Sequence, residues 1–180
     1  MDPSGDELAG IADLFGGLTR AELGEALVEL AFRDGADREP TDFADAIDDA
    51  IAEYYLVAVE RDGGEGGRAE SGGDEGSGGD EGSEGDAPAE LLVPGPVAFP
   101  ELPDHATDLP HIMDVSGRHV DRERVGAAAE ERFRADTARA VAAGDVERMT
   151  ALLDVSYELE AWAAPVELST ARERLDDALS

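Results

Sequence analysis

The stretch from Thr41 to Glu60, TDFADAIDDAIAEYYLVAVE, changes hydrophobic period part-way along. Phe43, Ile47, Ala50, Ile51 and Tyr54 recur at helical spacing. Leu56, Val57, Ala58 and Val59 then form a short run with the composition of a strand. A helix running almost directly into a strand leaves few arrangements for its surroundings. Two helical segments come before it, and a second short strand, Glu90 to Val93, follows a long glycine-acid insert.

Helix, helix, helix, strand, loop, strand is the order of a winged-helix module, and the Thr41 stretch then supplies its recognition helix. That helix carries Asp42, Asp45, Asp48, Asp49 and Glu53 and no basic residue. Reading base edges in the major groove takes donors such as Arg, Lys, Asn or Gln. Holding the backbone takes Arg or Lys, and the loop in the position of a wing has Arg61 and Arg68 among many acids. The pattern therefore gives the order of a DNA-binding fold with a surface that argues against nucleic acid.

The flanking helices announce their ends. Ser4-Gly5-Asp6-Glu7 and Thr19-Arg20-Ala21-Glu22 both have the form of a capping box, in which the cap side chain and the Glu satisfy each other's backbone N–H. Leu8, Ile11, Ala12, Phe15 and Leu18 share the face of the first helix, and Gly16 and Gly17 stop it. Leu23, Ala26, Leu27 and Leu30 make the stripe of the second, with Leu18 and Leu23 in staple positions and Gly35 at its end. The third begins near Thr41 or Asp42, which cap well.

Arg61 to Pro88 is of low complexity and includes a tandem GGDEGS repeat from Gly72 to Ser83. With little to bury it is expected to be disordered. Lengthening a hairpin loop this far costs under about 2 kcal/mol of closure entropy, so the flanking strands can still pair. Pro94 to Asp114 reads as a proline-rich strap whose Val97, Phe99, Leu102, Leu109, Ile112 and Met113 dock on the helices. Asp121 caps the next helix, which buries Val125, Ala129, Phe133, Thr137 and Val141; Gly144 ends it and Asp145 caps another. That helix presents Met149, Leu152, Leu153, Ser156, Leu159 and Trp162 on an arc broad enough for contact on two sides. Thr170-Ala171-Arg172-Glu173 looks like a further capping box, opening a short last helix.

Composition decides what chemistry is open. The formal net charge is -30, and all 14 basic residues are Arg. Lysine, asparagine, glutamine and cysteine are absent. Carboxylate enrichment without lysine suits solubility in molar salt, where the Debye length is about 3 Å and like charges are screened. The expectation is a halophilic cytoplasmic protein, in which only local charge contrasts carry functional information. An apolar share of 42% argues against disorder over most of the length. Without Cys there is no thiolate nucleophile or Cys-ligated metal, and without Lys no Schiff base or P-loop lysine. No apolar run approaches 18 residues, and the MDPSGDEL start lacks a hydrophobic signal core, so neither a membrane span nor a leader is expected.

The blocks ADLFGGLTRAEL, LLVPGPVAFPELPDHATDLPHIMDV and LLDVSYELEAWA resemble an uncharacterised haloarchaeal family of unknown function. The resemblance spans most of the chain apart from the insert. It implies a habitat and a reproducible architecture, and it brings no activity and no site residues.

Three constellations merit weighing. Arg118, His119, Arg122, Arg124, Arg132, Arg134 and Arg139 concentrate positive charge. Of these, Arg118, Arg122, Arg124, Arg132 and Arg139 are the candidates for contact with a protein or an anion. The favoured reading is nevertheless an internally paired helix that also contacts the acidic N-terminal half, since Glu130 with Arg134 and Arg132 with Asp136 fall at i,i+4. Asp104, His105, Asp108 and His111 are weak candidate metal ligands in a spacing that matches no specific motif. Ser116 and His119 lack the turn and the orienting acid of a nucleophile site.

The sequence thus predicts a mainly α, α+β chain. A winged-helix-like module with a two-stranded hairpin, plus its strap, takes residues 1–60 and 89–115. The insert takes 61–88, and a C-terminal helical bundle, 116–180, packs on the module. The expected function is non-enzymatic protein–protein contact as an adaptor, with a protein partner, no cofactor and no metal. The alternatives are a winged-helix transcription regulator and a metal-dependent enzyme using the His105/His111 region.

Overall fold

In the computed structural model, which describes residues 2–61, 90–163 and 165–180, the local signals of the first two helices are met in full. Ser4 Oγ accepts from the Glu7 N–H at 3.2 Å, and the Glu7 carboxylate accepts from the Ser4 N–H at 2.8 Å. These bonds open α1, Gly5–Leu14. Thr19 and Glu22 close the same reciprocal pair at the start of α2, Arg20–Arg33. Gly16 and Gly17 both take positive φ, which turns the chain sharply out of α1. Leu18 then forms a single antiparallel bridge to Leu92 before α2 begins.

The opening of α3 differs from the expectation. Neither Thr41 nor Asp42 caps it. Pro40–Phe43 forms a 3-10 turn, whose entry Asp42 holds by accepting from the Glu39 N–H at 3.0 Å. Pro40, whose ring restricts φ, starts this tight turn, and α3 follows as Ala44–Ala52 without a side-chain cap. Phe43, Ile47 and Ala50 bury as expected. Tyr54 is fully buried but does not continue that stripe: α3 has ended, Tyr54 takes φ 67, and its ring enters a different cluster.

Strand β1, Leu56–Glu60, pairs antiparallel with β2, Glu90–Pro94, in the register Leu56 to Pro94 and Val57 to Val93. Alternation along this hairpin organises the molecule. Leu56 and Leu92 lie in one apolar cluster with Leu8, Ile11, Leu23, Leu27, Phe43 and Ile47 from α1 to α3. Val57, Val59 and Val93 lie in a second cluster, with residues of α5, Arg122–Ala143, α6, Val146–Trp162, and α7, Ser169–Leu179. Successive strand side chains point to opposite faces, so one small hairpin serves two cores. The chain is mainly helical, and the α+β expectation holds.

The strap departs most from its reading. Ala106 and Leu109 are fully buried, the latter opening the one-turn α4, Leu109–Ile112. Phe99, Leu102 and Ile112 stand in solvent, at 78%, 47% and 43% exposure. The reason is that the strap docks through its backbone. Asp6 accepts from the Phe99 N–H at 2.7 Å on its side chain and from the Glu101 N–H at 3.0 Å on its carbonyl. A Cβ at Gly10 would lie 1.9 Å from the Glu101 carbonyl oxygen, so only glycine admits this approach.

Asp121 and Asp145 cap α5 and α6 as expected, and Gly144 separates them in the left-handed conformation. The Thr170 capping box does not form. Helix α7 starts at Ser169, and the Glu160 carboxylate of α6 accepts from the Leu168 N–H at 2.8 Å and pairs with Arg172 at 2.7 and 2.9 Å. A charge-assisted contact from a neighbouring helix outcompetes a local hydroxyl. The expected disorder of the insert concerns residues that, apart from Arg61, lie outside those described.

Candidate functional site

Helix α3 lies with Ile47 and Ala50 inward and with Asp45, Asp48, Asp49 and the following Glu53 exposed. Arg20 of α2 pairs with Asp48, which is the one basic contact on that face among the described residues. At its far end α3 is tied down rather than offered. Arg148, in the first turn of α6, donates to the Ala52 carbonyl at 2.8 Å. A guanidinium here satisfies an orphan carbonyl and sits at the negative end of the α3 dipole.

Arg148 belongs to a cluster at the seam between the α3–β1 turn and the C-terminal helices. The Tyr54 hydroxyl donates to Asp136 Oδ2 at 2.7 Å, and Asp136 is itself nearly buried. Arg148 donates to the same oxygen at 3.3 Å, and Arg139 donates to Oδ1. Arg132 approaches Asp136 only to 3.6 Å and stands over the Tyr54 ring, 4.9 Å from its centroid. Phe133 meets the same ring edge-on at 6.4 Å. Burial, reinforced by the bond to Asp136, pushes the Tyr54 phenol well above its ordinary range, so it stays a donor.

A second junction joins α2 to the segment that leads into α5. Arg118 grips Glu22 bidentately, at 2.6 Å on both oxygens, and donates to the Gly17 carbonyl at 3.0 Å. This pairing holds the Glu22 carboxyl down at about 2 and pushes the Arg118 guanidinium up. Beside it opens a cleft of about 420 Å³, walled by Val93, Val120, Val125 and Trp162 and edged by His119 and Arg122.

The five candidate arginines do not form one patch. Arg118 is committed to Glu22, Arg122 reaches the Trp162 carbonyl at 3.4 Å, and Arg124 donates to the Glu60 carbonyl at 2.6 Å. Only Arg132 and Arg139 come together, at Asp136. The weak metal candidates do not converge either. His105 is exposed at φ 69, Asp108 is held by Arg33 at 2.8 Å, and His111 and Asp104 are exposed. Among the described residues no three His, Asp or Glu side chains are placed to hold a metal ion.

A family model described as a family of unknown function, DUF7109, matches residues 6–180. The chain belongs to that family. No curated protein and no solved structure matches it. The DUF7109 match covers all three sequence blocks singled out above.

In this DUF7109 chain the residues that bind the two halves together are Glu22, Tyr54, Asp136 and Arg148, none of which stood out as a site in the sequence. Two of them leave a signal there. Asp136 interrupts an apolar face, three residues after Phe133 and four before Ala140. Arg148 places a cation in the first turn of a helix, where the dipole disfavours it unless a distant acceptor compensates.

Proposed function

We propose that this DUF7109 chain is a non-enzymatic protein-interaction module of winged-helix-like build, an adaptor working in a salt-rich cytoplasm. The observation that carries this reading is the strap. Its backbone is bonded to α1, yet it holds Phe99, Leu102 and Ile112 out in water. Apolar side chains fixed in solvent on an anchored segment suit the core of a contact surface, because little ordering entropy remains to be lost on binding. Phe32, at 72% exposure beside the Arg33 that grips Asp108 of the strap, extends the same supply. The absence of lysine and the net charge of -30 support the high-salt setting.

A transcription regulator is the second reading, favoured by the element order and by the Leu18 bridge that adds a third strand position to the hairpin. The exposed carboxylates of α3 weigh against it.

Affinity capture from a lysate of the source cells in molar KCl tests the choice. Wild-type chain and a Phe99→Ser, Leu102→Ser double variant are presented with competing genomic fragments. The expected result is a defined protein partner held by the wild type and released by the variant. Sequence-selective retention of genomic fragments by both would overturn the reading.

A further inference from the structure

We propose that Arg132, Arg139 and Arg148, gathered around Asp136, form a binding site for a tetrahedral oxyanion carrying two negative charges, of the phosphate class. The argument is independent of the strap.

Charge is the first ground. Three guanidiniums meet one carboxylate, and among the described residues no other Asp or Glu pairs with any of the three. The cluster therefore carries a formal surplus of two positive charges, in a chain with 44 acidic residues and 14 basic ones. In molar salt the repulsion from the rest of the surface is screened within about 3 Å, so the local surplus decides what binds.

Donor supply is the second ground. A guanidinium has five N–H groups. Arg132 makes no hydrogen bond among the described residues and rests on the Tyr54 ring. Arg148 uses one terminal nitrogen, on the Ala52 carbonyl and Asp136. Arg139 uses one terminal nitrogen on Asp136 and a long 3.4 Å bond to its own helix at Ala135. Asp136 has room for little more, because its two oxygens already accept from Tyr54, Arg139 and Arg148, three bonds against about four acceptor sites. Most of the donors converging here thus have no acceptor among the described residues.

Access and rigidity complete the case. The Arg139 side chain is 74% exposed, and those of Arg132 and Arg148 about a quarter, while Asp136 is held from below by the buried Tyr54. One guanidinium balances the charge of Asp136; among the described residues no acid balances the other two. Forks arriving from both α5 and α6 match an acceptor with oxygens in several directions better than a planar carboxylate. A dianion cancels the surplus, whereas a carboxylate or chloride cancels half.

Calorimetric titration in 2 M KCl tests this, with inorganic phosphate in one arm and O-phosphoserine, a monoester, in the other. Wild type is expected to bind at least one of them, and the tighter arm tells a free ion from an ester. Arg139→Gln should weaken binding tenfold or more and keep the wild-type circular dichroism, since its side chain stands in solvent. Arg132→Gln should weaken it similarly. Arg134→Gln, on the same helix but paired with Glu130, should leave it unchanged. No heat from either anion with wild type, or equal affinity in wild type and Arg139→Gln, would overturn the proposal.

Discussion

At the scale of single residues, Glu22 does two jobs with one carboxylate. It completes the α2 capping box through the Thr19 N–H at 2.8 Å, and it receives both arms of Arg118. The pair is about one-fifth exposed. Its hydrogen bonds from Arg118, more than any other cause, bring the carboxyl from 4.5 down to about 2. A folded value below the unfolded one stabilises the fold fully above pH 4.5, and that stability is lost as pH falls towards 2. Allowing for solvent screening, the contribution is about 1 kcal/mol. Thermal melts in molar KCl should therefore find Glu22→Gln less stable than wild type by about that much near pH 6. The gap should close between pH 4.5 and 2. A gap constant across that window contradicts the assignment. The capping half of this residue is legible in the sequence because Thr19 is three positions away. The Arg118 half is not, since the two residues are 96 positions apart and an ion pair at that separation leaves no local pattern. The Tyr54–Asp136 bond, across 82 residues, is hidden for the same reason.

At the scale of elements, what the sequence made legible was whatever is decided within one helical turn: the caps at Ser4, Thr19, Asp121 and Asp145, and the left-handed stops at Gly16 and Gly144. The strap and the start of α7 escaped it because other elements hold them. Gly10 separates local from tertiary preference sharply. Helix propensity alone favours Gly10→Ala by about 1 kcal/mol. Its Cβ, however, would stand 1.9 Å from the Glu101 carbonyl oxygen and 2.6 Å from the carbonyl carbon, both backbone atoms. The clash exceeds that gain, so the strap must lift. Hydrogen exchange should show the Phe99 and Glu101 amides, which bond to Asp6, losing protection in Gly10→Ala while α2 keeps its own. Unchanged protection at both would refute the account. Helix α7 offers the converse case, an element whose entry is fixed from outside. The Glu160 carboxyl is lowered chiefly by its bonds from Arg172, and it also receives the Leu168 N–H. Glu160→Ala should release both. Exchange should then quicken from Leu168 to Arg172 and stay as in wild type within α1. Equal quickening in both helices would mean the contact acts on global stability instead.

At the scale of the whole molecule, the hairpin makes the two cores interdependent. Leu56 and Leu92 turn one way, into the cluster of α1, α2 and α3, and Val57 and Val93 the other, into that of α5, α6 and α7. Neither core is complete without a strand whose opposite face the other core covers. The seam is locked at two places, by Arg118 on Glu22 and by Arg148 on Ala52 and Asp136. Cooperative unfolding of all the described helices follows. Trp162, the chain's single tryptophan, sits beside the second cluster and reports on it alone, whereas far-ultraviolet circular dichroism reports on every helix. Urea titration in 2 M KCl should give the same midpoint by both probes. Val57 is 1% exposed, and Val57→Ala should lower both midpoints together, by an amount equivalent to about 2 kcal/mol. Lowering the KCl concentration should also move both in step, because repulsion within a chain of net charge -30 then acts on one folded unit. If the fluorescence transition alone shifts in Val57→Ala, the C-terminal helices fold independently. The hairpin would then be a shared surface and not a shared core.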